Sequence, residues 1–222
     1  MTTTETQPNT RIRRLSERQV TERSALDAVL DEALIAHVAA ATPAGPLVIP
    51  MAFARVGDGL LLHCSTGAGL ALRSGGPESR LAVSVAILDG LVYAGTLYDS
   101  SMNYRSAVVY GVPVVLGEQE KEAALDAIAA KLMPGRSGEV PTSTRRELAA
   151  TQVLRIPISD FAMKARTGDP SASDGADPSA WIGVLPMTRT WGEPLIAASV
   201  DPATVVPESV SVRTARAAGG GA

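Results

Sequence analysis

The sequence predicts a mainly β fold with peripheral helices: a small antiparallel barrel, closed or partly closed. Three observations carry this expectation. Six or more short runs of apolar and β-branched residues follow one another with turn signals between them, among them 34–40, 47–56, 60–65, 81–88, 91–97 and 106–116. Nothing alternates strand with helix in the βαβ manner of a doubly wound sheet. Asp89-Gly90 joins two of the runs, and Asp-Gly suits a type I′ hairpin turn, whose central residues both need positive φ. Closure would hide the unpaired edges of such strands.

The elements follow in order. The opening MTTTETQPNT is polar and lacks the apolar core of a secretory signal, so residues 1–10 are expected as a flexible tail. Arg11, Arg13, Arg14 and Arg18 form a basic cluster, read as a solvated arm with an anion contact as the alternative. Thr21 is placed to cap a helix running through Ala33, in which Leu26, Val29, Leu30 and Ala33 recur at i, i+3, i+4 and i+7. The strands LIAHVAA, LVIPMAFARV and LLLHCS are parted by TPAGP and GDG. After a short helix come LAVSVAIL, LVYAGTL and the strand 106–116, where Pro113 marks a bulge or an unpaired edge. A second helix over about 118–132 sets Leu125, Ile128, Ala129 and Leu132 on one face and stops at Pro134-Gly135. Thr144 and Glu147 suit a capping box. QVLRIPIS (152–159) and FAMKARTG (161–168) complete the strands, and Thr167–Ala180 reads as a long loop. One domain is expected over 11–198, with a second flexible tail over 199–222.

Composition narrows the function. The chain has 222 residues, 45% of them hydrophobic, with a formal net charge of -3, which gives no case for nucleic-acid binding. No apolar run approaches the ~20 residues of a membrane helix. Cys64 is the single cysteine, so no internal disulfide forms and a cytoplasmic location is expected.

Three stretches could carry chemistry. In LLHCSTGAGLALRSG a strand runs into Ser65, Thr66 and Gly67 ahead of a helix, which is either an ordinary capped turn or a phosphate cradle. Asn103, Tyr104, Arg105 and Ser106 crowd the mouth of a strand: a polar hairpin end, or a grip on something flat and anionic. Lys164 and Arg166 alternate along a strand and so share a face, and beyond the loop lies Trp181, read alternatively as a core or dimer residue. The histidines number two, with no metal-ligand spacing, so no metal site is expected. His37 reads as a satisfied, partly buried histidine. His63 reads equally as that or as a ligand contact, and Cys64 as a small buried residue. No catalytic triad or acid pair is present, so in an enzyme a bound cofactor would do the chemistry.

The segments LLHCSTGAG, ILDGLVYAGTLYDSSMNYRSAVVYG, PGRSGEV, STRRELAATQVLRIPI, KARTG and WIGVLP resemble, in this order, the pyridoxamine 5′-phosphate oxidase-like flavoproteins. The branch concerned is also similar to nitroimidazole-resistance reductases, and the likeness runs from about Arg14 to Met187. It implies a six-stranded antiparallel Greek-key split β-barrel with a few flanking helices, working as a homodimer with FMN in a cleft between subunits. It further implies that Pro50, Met51 and Ala52 run along the isoalloxazine ring. His63, Cys64, Ser65, Thr66 and Gly67 would hold the phosphate side. Asn103, Tyr104, Arg105 and Ser106 would reach the flavin, and Lys164, Arg166 and Trp181 would lie near it, from the same or the partner subunit. Many relatives carry Ser-Arg or Ser-Lys where this chain has Ala68 and Gly69. Arg73 or Arg105 would then supply the charge, or backbone N–H groups hold the phosphate, or the site takes a deazaflavin or has weakened. WIGVLP lacks the arginine pattern that true oxidases use for pyridoxamine phosphate. The expectation is an FMN-dependent oxidoreductase acting on a small organic acceptor, a nitro compound or a quinone. The alternative is a flavin-, deazaflavin- or haem-binding protein for storage or sensing, with His63 or His37 on a haem iron.

Overall fold

The computed structural model describes residues 10–76, 78–172 and 174–218. Every strand pairing in it is antiparallel. The strands are β1 (Gln19–Val20), β2 (Ile35–Thr42), β3 (Gly45–Val56), β4 (Gly59–Ser65), β5 (Leu81–Tyr93), β6 (Ser101–Gly111), β7 (Val114–Val115), β8 (Thr151–Pro157), β9 (Asp160–Arg166) and β10 (Gly183–Pro186). They pair in the order β1-β9-β6-β5-β2-β3-β4-β8-β7, with β10 on the side of β5. The mainly β class is the one expected, and the path of hydrogen bonds stays open rather than closing into a ring.

Two long strands change partners along their length and so bend the sheet. β3 pairs with β2 through Ala52 and with β4 from Phe53 onward. β5 gives one edge to β2 at Ala82–Ser84 and to β10 at Gly90–Tyr93, while its other edge pairs with β6 throughout.

That course of β5 corrects the hairpin expected at Asp89-Gly90. The strand runs straight through, and Asp89 is the extra residue of a bulge opposite Tyr104 and Asn103. Glycine is needed at 90 for another reason: a Cβ there would lie 2.8 Å from the Leu185 carbonyl oxygen of β10. The two-residue turns fall elsewhere, at Pro43-Ala44, between the paired Thr42 and Gly45, and at Gly57-Asp58, where Gly57 has φ +55°. Asn103–Ser106 accordingly sit inside a strand that begins at Ser101, and Pro113 falls in the break between β6 and β7.

Two apolar clusters hold the sheet. Alternate residues of β2, β3, β4, β5, β6 and β8 point inward and meet Leu26, Val29 and Leu30 of α1 (Arg23–Glu32) and Leu72 of α2 (Thr66–Leu72). Glu22, not Thr21, stands at the N-cap of α1. On the outer side, Ala124 and Ile128 of α3 (Glu118–Leu132) cover Ala54, Leu61 and Val153. α4 (Arg145–Ala150) carries the expected capping box of Thr144 and Glu147. The stretch expected as a C-terminal tail holds α5 (Glu208–Ala218), tied back where Ser209 Oγ donates to Glu139 (2.6 Å) and Arg213 Nε to the Leu132 carbonyl (2.9 Å). The expected N-terminal tail, 1–10, lies outside the described residues save Thr10. No helix among the described residues is long and apolar enough to cross a membrane.

Candidate functional site

The outer face of β2, β3 and β5 is uncovered where α3 ends. Strand alternation sends Ala36, Val38 and Ala40 inward and Ile35, His37, Ala39 and Ala41 outward. Register then lays His37 between Pro50 of β3 and Ser84 of β5. Pro46, Val48, Pro50 and Ala52 continue the outer face on one side, and Ala82, Ser84, Ala86 and Leu88 on the other. Across β2, residues 45–52 and residues 81–88, His37 is the sole titratable side chain. Ile35 and Val48 are each 58% exposed. The result is an uncharged patch in which small side chains surround His37 and the exposed Ile35 and Val48. Beyond β5 it reaches Tyr104 and Ser106, and Lys164 of β9, which pairs in register with Ser106.

The site residues inferred from the sequence separate into groups. Pro50, Ala52, Tyr104, Ser106 and Lys164 share this outer face. Ser106 Oγ donates to the Lys164 carbonyl (3.3 Å), and Lys164 Nζ to the Arg14 carbonyl (2.8 Å). Met51 alternates inward and is buried in the core. Cys64 packs on the same core, where burial pushes its thiol pKa up. Ser65 Oγ accepts from Ala68 N–H (3.3 Å) as the N-cap of α2, Thr66 Oγ1 donates to the Ala150 carbonyl (3.2 Å), and Gly67 is exposed in the first turn. Both hydroxyls of the supposed cradle thus already serve the fold. Arg73 bonds the Gly69 carbonyl and Gln152.

Arg105 faces the opposite way from Tyr104 and Ser106, since neighbours in a strand alternate. Its guanidinium is held by two carboxylates, Asp89 (2.7 and 3.0 Å) and Glu32 (2.5 and 3.0 Å). Its hydrogen bonds to Asp89 first, then to Glu32, push its pKa further up. The Asp89 bulge aims that carboxylate, so this arginine ties β6 to β5 and to the end of α1. Asn103 and Arg166, 8% and 9% exposed, bond each other and hold the Gly168 carbonyl, fixing the start of the 167–182 loop. Trp181 is 67% exposed and packs edge-on against Tyr93 of β5 (5.5 Å).

His63 stands apart from the core. It follows the last paired position of β4 with β3, Phe53–Leu62, and faces α3. It lines a cavity of about 520 Å³ whose apolar wall includes Leu125, Ala129, Met133, Val140 and Leu148. Its Nδ1 is buried without a hydrogen-bond partner, the one such side-chain atom among the described residues. A buried acceptor or donor left unpaired costs free energy unless a ligand completes it.

His37 and the His63 cavity are what sequence reading missed or left open. His37 is exposed, not partly buried as expected. The signal was available: the alternation Ala36, Val38, Ala40 against His37 and Ala39 puts the imidazole on the outer face. The cavity wall was not legible, because residues 133–143 meet His63 only in the folded chain.

The sequence matches the pyridoxamine 5′-phosphate oxidase family over residues 22–165, and the chain belongs to that family. No curated protein sequence matches it. Among solved structures it is similar to the FAD and haem binding protein from Mycobacterium smegmatis, with 39% identity, TM-score 0.83, and coverage of 89% of this chain and 97% of that one. It is also similar to the flavocytochrome Anf3 from Azotobacter vinelandii, with 27% identity, TM-score 0.84, and coverage of 92% and 95%. A Bacteroides thetaiotaomicron protein assigned to 5-nitroimidazole antibiotic resistance shares the fold at 20% identity and TM-score 0.55, over 66% and 85% of the two chains.

Proposed function

We propose that this protein is a flavin-dependent oxidoreductase of the cytoplasm, working as a homodimer on a small organic acceptor. The observation that carries this is the uncharged, largely apolar outer face of β2, β3 and β5, beside the hydroxyls of Ser84 and Ser106. A planar, largely apolar ring fits such ground. The neighbour at 39% identity binds FAD, so FAD is proposed in place of the FMN expected from the sequence. Pro50, Ala52 and Ala86 would bed the ring and exclude water, Tyr104 would stack at its margin, and Lys164 would offer positive charge. The exposed Ile35 and Val48 would be covered by a second copy of the chain. When bound, the flavin supplies hydride and electron transfer.

The cavity that His63 lines favours a second cofactor. A haem in this cavity would meet an imidazole, apolar side chains such as Leu125, Met133 and Leu148, and the charged Glu122, Asp126 and Arg136. Both of the more similar neighbours point the same way: one binds haem, and the other is a flavocytochrome.

Titration of cofactor-free protein with FAD, FMN and hemin, followed in the visible region, tests both. Flavin bands perturbed on binding, with a Soret band that His63→Ala abolishes while flavin binding persists, are the expected result. A protein that binds neither FAD nor FMN overturns the flavin reading. An unaltered Soret band in His63→Ala overturns the haem assignment. Anaerobic reduction by NAD(P)H and reoxidation by a nitro compound or a quinone then separates an enzyme from a storage or sensing protein.

A further inference from the structure

We propose that His37 is a polar group that contacts the flavin ring and shifts the balance between its oxidised and reduced states. The inference rests on the flavin reading above. Arg105, the cation expected beside the ring, lies on the opposite side of β6 and is already neutralised by Asp89 and Glu32. Ser65 and Thr66 are spent on α2 and on the Ala150 carbonyl. Arg166 is buried in its bonds to Asn103, Gly168 and Asp169.

His37 is different on every count. It is exposed, and its imidazole has no hydrogen-bond or ion-pair partner among the described residues. It sits mid-strand on β2, flanked in register by Pro50 and Ser84, within the patch that would bed the ring. No charged or titratable side chain faces it: β3 presents Val48, Pro50 and Ala52, and β5 presents Ala82, Ser84 and Ala86. Charged groups first appear at the β9 margin, with Lys164 and Asp160. An imidazole on uncharged ground is a donor to a ring carbonyl or nitrogen, and as imidazolium it favours a ring that has gained negative charge. Under a bound ring and a second subunit, water would be excluded and that preference strengthened.

The test uses the full-length protein loaded with FAD. The measured quantity is the affinity for reduced relative to oxidised FAD, read from the midpoint potential of the bound flavin across the pH range in which imidazoles titrate. His37→Phe is expected to lower that ratio about tenfold at the acid end and to leave only the pH dependence that the flavin's own protonation gives. His37→Gln is expected to lose the same part of the pH dependence. Potentials and pH profiles of both variants that overlay the wild type overturn the inference while leaving the flavin reading intact. Should His37→Phe fail to fold or to bind FAD, the Gln variant decides: a wild-type pH profile there reduces His37 to packing and overturns the proposal. Wild-type protein that binds no FAD fails the flavin reading itself.

Discussion

Lys131 ends α3 with its ammonium inside the protein, 3.5 Å from the centre of the Phe53 ring and donating to the Leu30 carbonyl at 2.7 Å. Burial lowers its pKa to about 8, against the pull of Asp31. Above pH 8 the folded protein releases a proton that the unfolded chain keeps until about pH 10.5, so this group makes stability rise with pH across that window. Relative to Lys131→Met, the wild type is predicted to gain roughly 2 kcal/mol between pH 7.5 and 10.5, less what partial exposure screens away. Urea unfolding of both proteins at a series of pH values checks it, and parallel curves would refute it. Such an effect is invisible in sequence, where Lys131 reads as an ordinary charge near the end of a helix.

At the scale of elements, what the sequence told depended on how local the cause was. α3 occupies 118–132 as expected, since its periodicity and its stop at Pro134-Gly135 are both nearby in the chain. The Thr144–Glu147 capping box is likewise a three-residue matter. Asp89-Gly90 misled because one dipeptide suits two structures. Asp and Gly favour a tight turn, and equally a bulge that frees a carboxylate for Arg105 and lets another backbone come close. The partner that decides between them, β10, is remote in sequence. Gly90→Ala is therefore predicted to push Leu185 away and loosen β10, at a cost of about 1–2 kcal/mol. Limited proteolysis reads it directly: cleavage within 167–182 should accelerate while the remaining sheet resists. Unchanged cleavage would show that β10 yields without loss.

For the whole molecule, the proposed homodimer would cover the outer face. Val48 stands on β3 at the margin of that face, 58% exposed, and a second copy seated there would bury it. Under the proposed homodimer, Val48→Asp is predicted to place a charge at that contact, to give a monomer in sedimentation velocity, and to weaken FAD binding at least tenfold. A variant with the wild type's sedimentation refutes a subunit contact at this face. The barrel class was legible because strand alternation and turn chemistry are written residue by residue. Which residues share the outer face was half legible: alternation alone turns His37 outward, whereas its place between Pro50 and Ser84 needed the register between β2, β3 and β5. Arg105 shows why chemistry alone misleads, since a guanidinium of suitable type can be turned away from its neighbours by a single step along the strand.

The divided edge of β5 has a use of its own. Its amides bonded to β2 lie within the barrel, whereas those facing β10 are covered by only the four residues Gly183–Pro186. Deuterium uptake along this one strand should therefore run at two rates, one set by opening of the barrel and one by lifting of the short C-terminal strand. A ligand that protects only the second set would reveal that the chain beyond residue 167 closes over it while the barrel beneath stays as it was.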